Sequence, residues 1–576
     1  MSLSSLDWCL IIGINAAIIL VGLFQARGTR SSVDWFLAAK GLPWWMVGLS
    51  MFATAVDSGD YVAVAGGAYE QGMGYISVWW LGISIGWCLV AYIVFVPMYR
   101  AGLFTNAEYL EYRFGPVARV ISVLVQIQSR TNVMANVAFS LYLTFSILTG
   151  WGEQTWWLVA GIALGAAIYT ATGGLKSVAV TDTIQSIVMM LASLVLWWTV
   201  WNAVGGWRGM QDKLATHVDA GYLEAGTAEA MVHVGSSEVH DAPIGIVLIG
   251  YVIVLTAYCT INQSQAMRLL AARSVWDMKL AAIVAGGVTA IVMWFNVTIG
   301  IMGRAVFPGL DRPDEVFPLL IEEFLPALQS GLMGIVVAGL LAGGLSTYDS
   351  IGSAISSVFT RDIYARFFVT QREDRHYLWV SRIVTLVVIA ASFVYIPFLQ
   401  SGMVTFYMKI TGVAVVPLFT VYVMGALTSV ARCSASVGLI LGIVCGLTRF
   451  TDPVLQQLGN LSLPIWWTSI WWGYLWSILV TAATMVLTTM VVGWPRREEI
   501  QGWTFATSEN GEMPRRPEAG VSQQSTWLEQ SREQIPSVPK SDAENPTGAL
   551  GWIRSPLMWA LALLLIVGYF NLVVFW

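Results

Sequence analysis

LAGGLSTYDSIGSAISSVFTRDIY, residues 341–364, is the stretch that decides the fold of this chain, because it places hydroxyl groups and a carboxylate inside an apolar helical run. The serines that share one face of this helix are Ser346, Ser350, Ser353 and Ser357. Thr347 and Asp349 lie beside them. Small residues also allow close helix packing, but packing gives no reason for a carboxylate in a membrane helix. The stretch therefore predicts oxygen ligands for a small, hard cation such as sodium.

The composition assigns the chain to a lipid bilayer. Hydrophobic residues make up 56% of the sequence and charged residues 11%, whereas soluble domains contain about 25% charged residues. Counting apolar runs of about 20 residues predicts about fourteen transmembrane helices in an all-α polytopic membrane protein. The net charge is −5 and no basic domain for nucleic acid is present. No feature of the sequence calls for an obligatory protein partner.

The predicted spans are 6–25, 42–72, 75–98, 117–149, 155–172, 177–204, 242–265, 275–303, 329–358, 377–400, 403–427, 434–449, 470–493 and 555–576. They group into the segments 1–41 (an extra N-terminal helix and inner loop), 42–204 (a first repeat), 205–241 (an extracellular loop), 242–427 (a second repeat), 428–493 (two additional helices), 494–551 (a disordered cytoplasmic linker) and 552–576 (a C-terminal helix). Orientation follows from Lys and Arg, which collect in cytoplasmic loops. With the N-terminus outside, the inner loops carry about three times as many Lys and Arg residues as the outer loops. This bias predicts a multi-pass protein of the cell (inner) membrane with both termini extracytoplasmic.

Two predicted helices are interrupted by polar residues. The sequence SMFATAVDSGDYVAVAGG places Asp57 and Asp60 in the middle of an apolar span, and YCTINQSQAMR, residues 258–268, interrupts another. An unwound turn at such a position frees carbonyl groups for ion binding, as in secondary transporters with discontinuous helices. The two breaks lie five helices apart, which is the spacing of two inverted five-helix repeats.

Several stretches together resemble the sodium/solute symporter family, which includes the sodium/glucose cotransporters and the sodium/proline permease. The stretches are DWFLAAKGLPWWMVGLSMFATAV, FVPMYRAGLFTNAEYLEYRFG, TATGGLKSVAVTDTIQ, NQSQAMRLLAA, LSTYDSIGSAISSVFTRDIY and GLILGIVCGLTRF. The resemblance covers most of residues 30–450 and implies a LeuT-type fold with ten core helices, from 42–72 to 403–427. It also implies Na+ as the coupling ion.

Residue by residue, the resemblance implies a sodium site with shared ligand types. These are the side-chain oxygens of Ser346 and Thr347 and the backbone carbonyls of Ala53, Val56 and Gly343. Asp182 matches an acidic residue that in some family members helps to form a second sodium site. The candidates for such a second site here are Asp182, Asp349 and Ser350.

The residues that bind sugar in family members are missing from this chain. Sugar transporters use Asn, Glu and Gln where this sequence has Ala55, Leu81 and Lys409. The polar and charged candidates for solute binding are instead Asp57, Asp60, Arg130, Asn262, Gln263, Ser264 and Lys409. A cation would hold a carboxylate of the solute and Asp60 an amine or hydroxyl. Alternatively, Asp60 and Lys409 pair with each other.

These observations predict a sodium-coupled symporter that imports a small polar organic solute by alternating access. The solute is either sugar-like or a zwitterionic or carboxylate-bearing compound. A sodium-independent channel or a transporter-like sensor is the alternative, because a fold alone does not prove coupled flux. An intramembrane enzyme is disfavoured because the sequence contains no nucleophile elbow or metal-ligand motif.

Overall fold

The computed structural model describes residues 3–26, 32–170, 174–235, 242–326, 331–399, 403–448, 463–509, 528 and 555–576. In its first half the main helices are α1 (Ser5–Ala26), α2 (Ser32–Leu37), α3 (Trp44–Ala55), α4 (Ser58–Gln71), α5 (Val78–Arg100), α6 (Asn106–Phe114), α7 (Pro116–Thr149), α8 (Thr155–Thr170), α9 (Leu175–Val204) and α10 (Gly206–Asp219). In the second half they are α11 (Ile244–Ile261), α12 (Gln263–Leu270), α13 (Val275–Val306), α14 (Val316–Phe324), α15 (Leu332–Val358), α16 (Asp374–Ser392), α17 (Met403–Ile410), α18 (Val416–Leu427), α19 (Ser434–Thr448), α20 (Ile470–Val492) and α21 (Pro556–Tyr569).

Within the described residues, 11 helices are long and apolar enough to cross a membrane. The chain is thus a multi-pass membrane protein, as the composition predicted. The predicted span 42–72 is divided into α3 and α4, and the predicted span 434–449 is the shorter helix α19. Length and hydropathy alone therefore do not establish the predicted number of about fourteen spans.

The first break lies where the sequence predicted it. Helix α3 ends at Ala55, Val56 and Asp57 adopt extended backbone angles, and α4 begins at Ser58. Asp57 caps α4, because its side chain accepts a hydrogen bond from the amide of Asp60, and the side chain of Asp60 accepts one from the amide of Asp57. Asp is among the preferred N-cap residues. At this break, hydrogen bonds to the carboxylates of Asp57 and Asp60 thus take the place of backbone hydrogen bonds of one helical turn.

The second break has the same design with a single capping side chain. Helix α11 ends at Ile261, and Asn262 has extended angles and caps α12 through a hydrogen bond from the amide of Ser264, 3.0 Å long. Leu42, which precedes α3, forms an isolated parallel β-bridge with Ala272, which follows α12. The two broken helices are therefore joined directly through their backbones.

Helix α15, which contains the diagnostic stretch, is buried along most of its length and packs against α1, α7 and α9. Gly343 on α15 contacts the first break closely. A Cβ atom at this position would lie 3.3 Å from the amide nitrogen of Ser58. A small residue is therefore required for α15 to approach the unwound turn, and the small-residue stripe serves both helix packing and the polar site.

One prediction is wrong in part. The segment 494–551 was predicted to be disordered from its start, but Arg497–Ile500 and Phe505–Glu509 are helical and Trp503 between them is 1% exposed. Trp503 stacks on Tyr112 of α6 with ring centroids 5.0 Å apart. Because the segment as a whole has low hydropathy, its sequence gave no sign that Trp503 is buried. Most of the remaining linker, 510–527 and 529–551, lies outside the described residues.

Candidate functional site

The first break leaves two backbone carbonyls without their helical donors. In a continuous helix the amide of Asp57 would donate to the carbonyl of Ala53, and the amide of Asp60 to that of Val56. Here both amides donate to side chains instead, each over 3.1 Å. The capping box therefore frees the two carbonyls that the family resemblance assigned to sodium.

Helix α15 presents two hydroxyl groups on the same side. The hydroxyl of Thr347 donates to Oδ2 of Asp57 over 3.3 Å, and the hydroxyl of Ser346 donates to Oδ1 of Asp182 over 2.7 Å. Since each proton is held by a carboxylate, the lone pairs of both hydroxyl oxygens remain available. Hydroxyl and carbonyl oxygens fit a hard cation such as sodium. The chemistry of this donor set therefore agrees with the predicted ion.

The predicted second sodium site is not supported by the arrangement of its residues. Arg268 of α12 places Nη2 2.6 Å from Oδ2 of Asp182 and 2.5 Å from the hydroxyl of Ser350. Ser50 also donates to Oδ2 of Asp182, over 2.6 Å. The guanidinium group occupies the space between Asp182 and Ser350 that a cation would need. Arg268 thus supplies a positive charge beside Asp182.

Asp349 forms no hydrogen bond with Asp182, Arg268 or Ser350 within the described residues, although the charges of Asp182 and Arg268 act on it. It is 2% exposed, Tyr169 and Thr170 lie beside it, and its Oδ1 has no hydrogen-bond partner within the described residues. The hydroxyl of Tyr169 also contacts that of Thr181, 2.9 Å away. The side chains of Asp349 and Ser350 therefore have different partners: Asp349 lies beside Tyr169 and Thr170, and Ser350 contacts Arg268.

A cavity opens beside the first break, between α4, α5, α7, α11 and α17. Its polar and aromatic lining residues are Asp57, Asp60, Tyr75, Trp79, Asn136, Tyr258 and Tyr407. The indole N–H of Trp79 has no hydrogen-bond partner within the described residues. Concave sites that combine aromatic walls with a few polar groups are typical of small-molecule binding.

Asp60 and Arg130, predicted to hold opposite ends of a solute, differ in their access to this cavity. One oxygen of Asp60 holds the amide of Asp57, and the side chain is only partly buried. Arg130 is 2% exposed, and its guanidinium lies 4.8 Å from the ring centroid of Tyr258, outside the lining residues. The cavity therefore presents carboxylate groups, with the guanidinium behind an aromatic wall.

The other predicted solute ligands have different roles. Lys409 is exposed, whereas Tyr407 and Met408 line the cavity, because successive helical residues point about 100° apart. The predicted pairing of Lys409 with Asp60 is absent from the described ion pairs. Asn262 caps a helix, and the side-chain amide of Gln263 donates to the carbonyl of Phe104 over 3.0 Å.

Ser264 is also buried, and neither it nor its two neighbours at the second break lines the cavity. Asp57 and Asp60 were predicted and do line it, but the lining residues Tyr75, Trp79, Asn136, Tyr258 and Tyr407 were not predicted from the sequence. Asn132 and Asn136 are spaced i, i+4 in the apolar helix α7, where Nδ2 of Asn136 donates to the backbone carbonyl of Asn132 over 3.0 Å, and two amides at this spacing are a signal that the sequence offered. The aromatic residues carry no comparable signal, because Trp and Tyr are common throughout the chain.

A sequence profile of the sodium:solute symporter family matches residues 35–445. The chain belongs to this family. Sodium/glucose cotransporter 4 of Danio rerio is 28% identical over 486 residues, which cover 78% of this chain and 72% of that protein. Sodium/myo-inositol cotransporter 2 of Homo sapiens is 26% identical over 531 residues, which cover 85% of this chain and 77% of that protein. The family resemblance seen in the sequence is confirmed.

The fold of this sodium:solute symporter is also confirmed by a solved structure. A Na+-coupled sialic acid symporter in a substrate-bound outward-open state superposes with a TM-score of 0.68 at 21% identity, covering 86% of this chain and 99% of that one. The chain therefore has the predicted LeuT-type fold. Sodium is the coupling ion that membership of the family implies, and a transporter family is not an enzyme family.

Proposed function

We propose that this symporter couples the inward movement of sodium to the import of a small, hydroxyl-rich organic solute by alternating access. The observation that carries the proposal is the position of Asp57. It contacts Thr347 of the ion site and also lines the cavity. An ion and a solute that share one unwound turn affect each other's binding directly, and such coupling is reciprocal.

The solute class follows from the groups that the cavity presents. Carboxylates accept hydrogen bonds from hydroxyl groups, and Tyr75, Trp79 and Tyr258 offer aromatic faces to a ring. The names of two relatives, a sodium/glucose and a sodium/myo-inositol cotransporter, agree with a polyhydroxylated solute. The second candidate is a zwitterion or carboxylate-bearing solute, favoured by Arg130, whose Nε has no hydrogen-bond partner within the described residues.

The sodium gradient can drive substantial accumulation. One charge crossing 100 mV yields about 2.3 kcal/mol, and a tenfold sodium gradient adds about 1.4 kcal/mol. Together these terms support a solute gradient of several hundredfold for one sodium ion.

We also propose that both termini face the outside of the cell membrane. Trp8 stacks on Trp151, which follows α7, and the amide of Val234 donates to the carbonyl of Phe575 over 2.6 Å. The predicted spans 155–172 and 177–204 lie between residues 151 and 234, and two crossings would bring both ends of the chain to one side. The excess of Lys and Arg in the opposite loops assigns that side to the exterior.

Thermal stabilisation of the detergent-purified protein tests the proposal. We expect a compound from a panel of sugars, polyols, amino acids, sialic-type acids and betaines to raise the melting temperature in sodium but not in potassium. Ser346→Ala and Thr347→Ala should remove the sodium dependence. Ser357→Ala is the matched control, because Ser357 lies on the same helix and its hydroxyl has no partner within the described residues.

Either of two results would contradict the proposal. Stabilisation that is equal in sodium and potassium would favour a sodium-independent channel or sensor. Stabilisation by carboxylate-bearing compounds and not by polyols would instead favour a solute whose carboxylate binds Arg130.

A further inference from the structure

We propose that Asp57 is the charged member of the sodium site. The sequence predicted Asp57 as a ligand of the solute. The sodium ligands implied by the family resemblance are carbonyl and hydroxyl groups, which carry no charge. The inference rests on the proposed function, because it concerns the same ion. It adds a residue that determines how strongly this chain holds sodium.

The two oxygens of Asp57 face different parts of the site. Oδ1 accepts the amide of Asp60 and thereby diverts it from the carbonyl of Val56. Oδ2 accepts the hydroxyl of Thr347 on α15. With 4% of its surface exposed, the side chain lies between the unwound turn and α15. One carboxylate thus contacts both elements that supply sodium ligands.

Hydrogen bonding to Asp57 prepares Thr347 to bind a cation. A threonine hydroxyl has one proton and two lone pairs. When the proton points to Asp57, the lone pairs stay free and could bind a cation. Ser346 is prepared in the same way by Asp182. The two hydroxyl ligands are therefore oriented by two different carboxylates.

The two carboxylates differ in whether an ion pair neutralises their negative charge. Asp182 forms an ion pair with Arg268, 2.6 Å apart. No ion pair involving Asp57 occurs among the described residues. A carboxylate buried in a membrane helix is costly without a compensating charge, and the guanidinium of Arg130 acts on Asp57 without forming an ion pair with it. Sodium bound next to Thr347 supplies a compensating charge, so the negative charge of Asp57 favours ion binding.

The charge of Asp57 can be separated from its capping role by substitution. Asn and Ser are both good N-cap residues. Asp57→Asn and Asp57→Ser therefore retain an acceptor for the amide of Asp60 and remove the charge together with one of the two acceptor oxygens. Asp57→Ala removes the charge and both acceptor oxygens. Asp277→Asn is the matched control, because Asp277 is also an acceptor at a helix start, where its Oδ1 receives the amide of Trp44, and it lies in neither the ion site nor the cavity.

Sodium titration of the melting temperature without any solute tests the inference. We expect Asp57→Asn and Asp57→Ser to raise the sodium concentration for half-maximal stabilisation about tenfold or more, through loss of an adjacent charge. Asp277→Asn should titrate as the wild type does. The melting temperature in potassium shows whether each variant is folded, and two different capping residues guard against the failure of one.

The outcomes are distinguishable. If Asp57→Asn and Asp57→Ser titrate as the wild type does while Asp57→Ala does not, Asp57 is only a helix cap and the inference is overturned. If the wild type itself shows no response to sodium, the proposed function fails, and the inference fails with it.

Discussion

At the residue scale, the clearest departure from the sequence prediction is the pairing of Arg268 with Asp182. Arg268 is 1% exposed and contacts Ser50, Asp182 and Ser350 at once. The predicted span 242–265 left Arg268 outside the membrane helices, whereas it is a buried partner of a membrane carboxylate. Buried charges are held in pairs because an unpaired one is expensive.

Removal of Arg268 alone should destabilise the protein strongly. Arg268→Met leaves Asp182 buried without a counter-charge, and breaking a buried pair in this way costs about 3–5 kcal/mol. Asp182→Asn in the same chain removes the second charge and should recover much of the stability. Thermal unfolding of the two single variants and the double variant measures the coupling. Additive losses in the double variant would show that the pair does not act as a unit.

The polar residues near the first break were easier to find in the sequence than the aromatic lining of the cavity, for a physical reason. Ser346, Thr347 and Asp57 are polar residues in apolar helices, and each stands out for that reason. Trp79 and Tyr407 are aromatic. Aromatic residues are also common in the packed interior, so residue type alone does not mark these two as cavity residues. Lys409 stood out because of its charge, but only helix rotation decides which side of α17 it occupies.

At the element scale, both broken helices follow from local capping chemistry. The prediction of interruptions near Asp57 and Asn262 needed only polar residues in apolar runs, and both are confirmed. The ordered start of the linker could not be predicted in the same way. Its order depends on a distant partner, because Trp503 is held by Tyr109 and Tyr112 of α6.

Residues 497–509 should lose their order when this anchor is removed. The hydroxyl of Tyr109 donates to the carbonyl of Trp503 over 3.0 Å, and the indole stacks on Tyr112. Trp503→Ala keeps the backbone hydrogen bond but loses the buried aromatic surface. We expect amide hydrogen exchange in this segment to become at least about tenfold faster.

Trp494→Ala is the control for this experiment, because Trp494 is 59% exposed and close in sequence. Its exchange in residues 497–509 should match that of the wild type. Equal acceleration in the two variants, or none in Trp503→Ala, would show that the indole does not anchor the segment.

At the scale of the whole molecule, composition and the family resemblance were sufficient for the fold. An all-α membrane protein of LeuT type is confirmed, whereas the proposed inverted repeats, 42–204 and 242–427, remain a prediction. The breaks in α3/α4 and α11/α12 occupy equivalent places in those repeats, in agreement with that prediction. Only the first break carries carboxylates and faces the cavity, so the two halves have different tasks.

Solute-driven sodium entry into proteoliposomes tests the central claim most directly. The stabilising solute is added outside vesicles that contain the wild-type protein, and radioactive sodium is counted inside. The account predicts that the solute accelerates sodium entry, that an inside-negative potential increases this flux, and that Thr347→Ala abolishes it. Solute uptake at the same rate in potassium, with no sodium entry, would contradict it.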